Sequence, residues 1–126
     1  MKIPKDLLYT EDHEWIKVNG TEATIGITDF AQKELGDIVF VEVETIDETI
    51  AKGDAFGTIE AVKTVSDMFM PVSGTVIELN EMLDSEPEVI NKDPYGNGWI
   101  VKIKMSDTKE LNDLLDAEAY QASIEA

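Results

Sequence analysis

The chain has 126 residues, no cysteine, one histidine, and 27 acidic against 10 basic side chains, for a formal charge of −17. That length supports one domain with a real core rather than two, the missing cysteines exclude disulfides and thiolate chemistry, and one histidine rules out His-pair zinc motifs. A self-contained histidine-based hydrolase is not expected either, and so negative a surface repels nucleic acid and anionic membranes while speeding encounter with positively charged partners.

The N-terminus, Met1-Lys2-Ile3-Pro4-Lys5-Asp6, has neither a signal-peptide core nor the Arg/Ser-rich look of a transit peptide, and no apolar run reaches membrane-spanning length. A cytoplasmic protein used as made is the expectation. The run Asp12 to Val18, then Asn19-Gly20, then Thr21 to Ile27 predicts a first hairpin, because Asn and Gly both tolerate the positive φ of a type I′ turn.

Thr28 is placed to cap a helix from about Asp29 to Leu35, with Gly36 as its left-handed stop and Phe30, Ala31 and Leu35 facing inward. Asp37 to Glu44 reads as a strand whose apolar content predicts substantial burial. Thr45 to Lys52 is acidic and loop-like, and Gly53-Asp54 opens the next strand.

Gly57 to Gly74, GTIEAVKTVSDMFMPVSG, is the stretch around which the chain is organised. Thr58 to Val62 and Thr64 to Met70 read as adjacent strands, which puts Lys63 at or near their turn. The turn residues Val62-Lys63-Thr64 include two β-branched side chains and no glycine, so the usual turn chemistry does not select them.

Thr75 to Leu79 reads as a further strand, Asn80 as the cap of a short turn, and Pro87 as the start of a helical turn through Ile90 that Asn91 stops. Asp93 to Gly98 is turn chemistry. From Trp99 to Met105 apolar side chains alternate with Lys102 and Lys104, as on a half-buried strand. The tail, about 107–125, is expected to be helical, with Asp107 and Glu110 spaced as a capping box, Leu111, Leu114 and Leu115 on one face, and Asp116 capping a last helix that aligns Tyr120 with Ile124. Many short strands with glycine punctuation predict a mainly β domain with helical decoration, a small sandwich or barrel.

Taken in order, Tyr9 with His13-Glu14-Trp15, GITDFAQKELGDIVFVEV (Gly26 to Val43), IEAVKTVSD, PVSG, and Asn91 through Pro94-Tyr95 to Gly98-Trp99 resemble the H proteins of the glycine cleavage system over nearly the whole chain. The resemblance implies a barrel-sandwich hybrid of the lipoyl/biotinyl-carrier kind over 1–126, with short helices and a C-terminal helix. It implies lipoic acid in amide linkage on Lys63, and a carrier and shared substrate rather than an enzyme. The implied partners are glycine decarboxylase (P protein), which loads the arm with an aminomethyl group, a tetrahydrofolate-dependent aminomethyltransferase (T protein), dihydrolipoyl dehydrogenase (L protein), and a lipoate ligase or lipoyl transferase. A carrier that serves three enzymes is most simply a monomer.

The chemistry suits the position: amide formation removes the ammonium charge and turns an exposed lysine into a long flexible arm. Its acidic neighbours Glu42, Glu60 and Asp67 supply neither burial nor a cation to activate a Schiff-base lysine. Glu14 and Asp67, joined by Asp12, are the candidates to contact the protonated amine of a loaded arm, against the plainer reading that they are solvated acids. His13, Trp15, Tyr95 and Trp99 read first as packing residues, and Met68 and Met70 as core at least as readily as partner surface. The chain departs from the family pattern at Glu44-Thr45 and the run to Thr49, and has Ala61 where serine is common.

Rival readings are a biotin carrier, disfavoured because Val62 and Thr64 rather than methionines flank the lysine, and the lipoyl domain of a 2-oxo-acid dehydrogenase, whose linker and catalytic domain are not seen. A relay that hands lipoate to other lipoyl proteins and an unmodified binding module are the remaining alternatives.

Overall fold

The computed structural model describes residues 1–125, and in them two open antiparallel sheets share one core. The larger has the order β1 (Leu8–Tyr9), β2 (Glu14–Asn19), β3 (Glu22–Ile27), β9 (Val101–Met105), β8 (Gly74–Leu79) and β5 (Thr49–Ile50). The smaller is β4 (Ile38–Glu42), β6 (Ala55–Ala61) and β7 (Val65–Phe69). Neither order returns to its first strand, so the mainly β fold is a two-sheet sandwich without a closed barrel. Ile25, Val76 and Ile103 from the larger sheet meet Phe56, Ile59 and Met68 from the smaller in the shared core. Met68 and Met70 are both core residues, so neither offers a partner surface.

The first hairpin forms one residue later than expected. Asn19 pairs with Glu22 as a strand residue, which leaves Gly20 and Thr21 as the turn, and of these Gly20 alone has positive φ, +67°. One positive φ at the first central position is the type II′ pattern rather than I′. Across β2 and β3, Trp15 stands opposite Gly26, and a Cβ at Gly26 would lie 2.6 Å from the indole ring. The glycine is therefore the floor on which the buried Trp15 lies, its Nε1 donating to the Pro94 carbonyl at 3.0 Å.

Helix α1 (Asp29–Leu35) has the expected ends. Thr28 Oγ1 accepts from the Ala31 amide, and Gly36 (φ +82°, ψ −155°) stops it in a conformation reserved for glycine. Ala31 faces inward and Leu35 packs on the core, while Phe30 lies against His13 with ring centres 4.6 Å apart. Strand β4 departs from expectation. A bulge between Ile38 and Phe40 breaks its alternation, so Val39 and Phe40 both point outward and only Ile38 and Val41 are buried.

Short helices α2 (Met82–Ser85) and α3 (Val89–Lys92) follow β8, with Asn80 Oδ1 accepting from the Met82 amide. Asn91 does not stop α3 but lies inside it, because its side chain is a bracket: Oδ1 accepts from the Ile38 amide at 2.9 Å and Nδ2 donates to the Gly36 carbonyl at 2.8 Å and to Gln32 at 3.0 Å. The tail is helical in two pieces. A 3-10 helix (Thr108–Asp113) gives way to extended chain at Leu114 and Leu115, where Leu115 and Tyr9 exchange backbone hydrogen bonds of 2.8 Å, before α4 (Ala117–Glu125). Pairing with Tyr9 thus overrides the single apolar helical face expected for Leu111, Leu114 and Leu115. The capping box is half formed: Asp107 caps Lys109, but Glu110 instead accepts from the amide and hydroxyl of Ser73. Asp116 caps α4 as expected, and Tyr120 and Ile124 both join a second apolar cluster with Tyr9 and Trp15. No helix among the described residues is long and apolar enough to cross a membrane.

Candidate functional site

Strands β6 and β7 are in register from Gly57 opposite Met68 to Glu60 opposite Val65, and the turn closes with the Ala61 amide donating to the Thr64 carbonyl at 2.8 Å. Lys63 is at the tip. The positive-φ residues outside glycine are His13 and Asp47, so Val62 and Lys63 turn the chain with ordinary negative φ, and β-branched neighbours cost nothing sterically. A backbone bond from the Val62 amide to the Asp37 carbonyl (3.1 Å) fastens the turn to the start of β4. Asp37 is held in turn between Gly36 and Ile38, the two residues that Asn91 brackets.

Lys63 is exposed and forms no ion pair among the described residues. Its stem lies over Gly36, where a Cβ would come within 3.2 Å of Lys63 Cε. One residue back along α1, Leu35 lines a cleft of about 160 Å³ that also contains Asp12, His13, Glu14, Ser66 and Asp67. The three acids singled out in the sequence come from the β1–β2 connection, β2 and β7, and folding brings them to this one cleft. Lys63 is not part of the cleft wall; its stem touches Gly36, the residue that follows the wall residue Leu35.

The acids differ in character. Asp12 and Asp67 are exposed, whereas Glu14 is 3% exposed. Glu14 Oε1 accepts from the Thr10 hydroxyl at 2.8 Å and Oε2 from the Phe69 amide at 3.2 Å. Burial outweighs these bonds and pushes its carboxyl up to about 7, with the negative charge of Asp12 adding a little. No cation pairs with it among the described residues, so its hydrogen-bond partners are neutral.

His13 lines the cleft but is committed to packing. Its Nδ1 is 2.8 Å from the Tyr120 hydroxyl, which is 2.7 Å from Thr28 Oγ1, and burial lowers its pKa. Tyr95 is likewise structural, its hydroxyl donating to the Lys2 carbonyl and accepting from the Asp29 amide. Sequence reasoning did not single out Thr10, Gly36 as the rest for Lys63, or Asn91 as a bracket. Gly36 carried a local signal as a helix stop and Thr10 is only four residues from Glu14, but contacts between Phe69 and Glu14, or Asn91 and Gly36, exist only once distant segments meet.

A family model described as "Glycine cleavage H-protein" matches residues 7–126. Among curated relatives, the glycine cleavage system H protein of Bacteroides thetaiotaomicron is 55% identical over 124 residues, covering 98% of each chain. That of Bacteroides fragilis is 52% identical over 126 residues and the full length of both. The crystal structure of a glycine cleavage system H protein from Mycobacterium marinum superposes with a TM-score of 0.89 at 37% identity, covering 98% of this chain and 100% of that one. With a matching model over nearly all residues and relatives above half identity end to end, the chain belongs to the glycine cleavage H-protein family.

Proposed function

We propose that the whole chain acts as one carrier domain in which Lys63 bears lipoic acid in amide linkage and the cleft of Glu14, Asp12 and Asp67 receives the cargo. The observation that carries this is the placement of an exposed lysine, unpaired among the described residues, at a turn tip, its stem against Gly36, the residue after Leu35 in the wall of a cleft. That cleft is also lined by the buried Glu14, a carboxyl without a counter-cation among the described residues. When attached, the dithiolane would supply a disulfide that is reduced as one sulfur takes the aminomethyl group left by loss of CO2 from glycine at glycine decarboxylase; a tetrahydrofolate-dependent aminomethyltransferase would take the one-carbon unit with release of ammonia, and dihydrolipoyl dehydrogenase would reoxidise the dithiol.

This chain's own contribution is to present and to shelter. The turn holds Lys63 exposed at the hairpin tip, its stem resting on Gly36, within reach of a lipoate ligase or lipoyl transferase. Amide formation there breaks the bond to the leaving group, which departs with its electron pair, while the attacking amine sheds a proton. In the cleft Glu14 has lost water and kept neutral donors, so a protonated amine placed against it supplies the missing charge partner and draws the carboxyl into its ionised form. Asp67 and Asp12 add negative potential at the same opening. Ile27, Ala31, Leu35, Ile59 and Met68 add apolar lining that limits water around the cargo, beside the polar His13, Glu34 and Ser66.

The acidic surface favours enzymes with positive entrances and opposes nucleic acid and membranes, and a cysteine-free chain suits the cytoplasm, where we place it as a monomer. Intact mass with peptide mapping, on protein from its native host, tests the attachment. One lipoyl increment on Lys63 is expected; a biotinyl increment, or a bare lysine in cells with a working ligase, would refute it. For the cleft, Glu14→Ala is expected to speed loss of the aminomethyl group from the loaded carrier, and unchanged decay would remove Glu14 from the proposal.

A further inference from the structure

We propose that Val39, Phe40, Val62 and Val65 form the docking face for the enzyme that acylates Lys63, and that this enzyme offers an apolar socket bordered by Lys or Arg side chains. The inference rests on Lys63 being the acylated residue. Apart from Met1, the four most exposed large apolar side chains among the described residues are Val62 (72%), Val65 (61%), Phe40 (50%) and Val39 (47%), and all four adjoin the Lys63 turn. Register explains how they converge. Phe40 is opposite Glu60 and Glu60 opposite Val65, so the three side chains form one row across the outer face of the smaller sheet, beside the turn. The β4 bulge adds Val39 to that side, and Val62 stands in the turn itself.

Nothing in the turn backbone requires these residues. Val62 and Lys63 have negative φ, so polar side chains would serve equally, and an edge strand such as β4 is normally blunted by charge rather than left with an exposed phenylalanine. Reach decides which partner covers the patch. An unmodified lysine extends only its own four-carbon stem, so the acylating enzyme must bring its active site within that length of the turn and touch the adjacent surface. Enzymes that use the finished arm can stay an acyl chain further away. Charge decides the border: strands β4, β6 and β7 contain no Lys or Arg, exposed Asp37, Glu42 and Asp67 flank the patch, and Glu60 stands within its row between Phe40 and Val65.

The test is lipoylation of the purified, unmodified full chain by the lipoate ligase of its native host, with lipoate and ATP. Phe40→Ser and Val65→Thr are each expected to raise KM about tenfold with kcat little changed, whereas Phe40→Leu retains the wild-type KM, as does Ile77→Thr, an exposed apolar control on β8. Circular dichroism and urea unfolding confirm that the variants remain folded. Unchanged KM in both patch variants overturns the docking face. So does normal lipoylation of these variants combined with slower turnover of the preloaded carriers by glycine decarboxylase, which would give the face to that enzyme. Failure of the wild-type chain to be acylated at Lys63 overturns the attachment reading itself, and is told apart because no patch residue was changed.

Discussion

The Lys63 side chain rests on Gly36: a Cβ at that glycine would lie 3.2 Å from Lys63 Cε and 3.6 Å from Nζ. The contact joins the tip of the β6–β7 hairpin to the end of α1, and so to the cleft that Leu35 borders. Gly36 serves two ends there, stopping the helix with a backbone conformation other residues avoid and leaving room for the lysine stem.

Gly36→Ala is therefore expected to destabilise the protein by about 1–3 kcal/mol from backbone strain and to push the Lys63 stem away from α1. Urea unfolding measures the first effect. NMR contacts from Lys63 Hε to residue 36 and Leu35 measure the second, and their persistence would count against the shared role.

Asn91→Ala removes the bracket around Asp37. Three hydrogen bonds are lost, and the Ile38 amide and Gly36 carbonyl are left to find water, so a loss of about 2–3 kcal/mol is expected. Because the Val62 amide hangs on the Asp37 carbonyl, its hydrogen exchange should accelerate more than that of amides in β3. Uniform acceleration would mean the bracket supports the whole fold and not the turn in particular.

The pH dependence of Glu14 has a definite sign. Burial raises its carboxyl from 4.5 to about 7, so between these values the folded chain keeps a proton that the unfolded chain releases. Its contribution to stability is therefore present below about 4.5, falls as pH rises to about 7, and is level above. Glu14→Gln abolishes the term, and the stability of that variant relative to wild type should improve steadily across this window. Urea unfolding at pH 5, 6, 7 and 8 measures it, and parallel curves would contradict it. Once the arm is loaded, the cationic cargo should move the Glu14 titration downward.

Tyr120→Phe keeps the ring stacked 4.7 Å from Tyr9 but deletes the hydroxyl shared by His13 and Thr28. About 1–2 kcal/mol of stability should be lost, with a change in the His13 Nδ1 chemical shift. An unaltered His13 signal would mean that α4 does not hold the cleft-side histidine through this contact.

Local patterns sufficed for much of this protein. Thr28 and Gly36 bound α1 because a cap and a glycine stop depend on a few adjacent residues, although Gly36 stops it with extended positive-φ geometry in place of the left-handed helical one, and the alternation of Val101, Ile103 and Met105 against the two lysines marks β9 for the same reason. The motif around Lys63 and the ordered string of matching segments were likewise legible, since they are strings. What the string did not contain was register and contact. Whether Asn19 turns or pairs is set by the register of β2 against its neighbour β3, and whether Phe40 is buried or bulged outward and whether Leu115 continues a helix or joins Tyr9 are settled by strands far away in the chain. The cleft belongs to that second kind: Asp12, Glu14 and Asp67 are separate acids among 27 until β2 and β7 bring them together, and only then does burial single out Glu14. Ionisation and exposure depend on what surrounds a side chain in space, and sequence neighbours supply little of that surrounding.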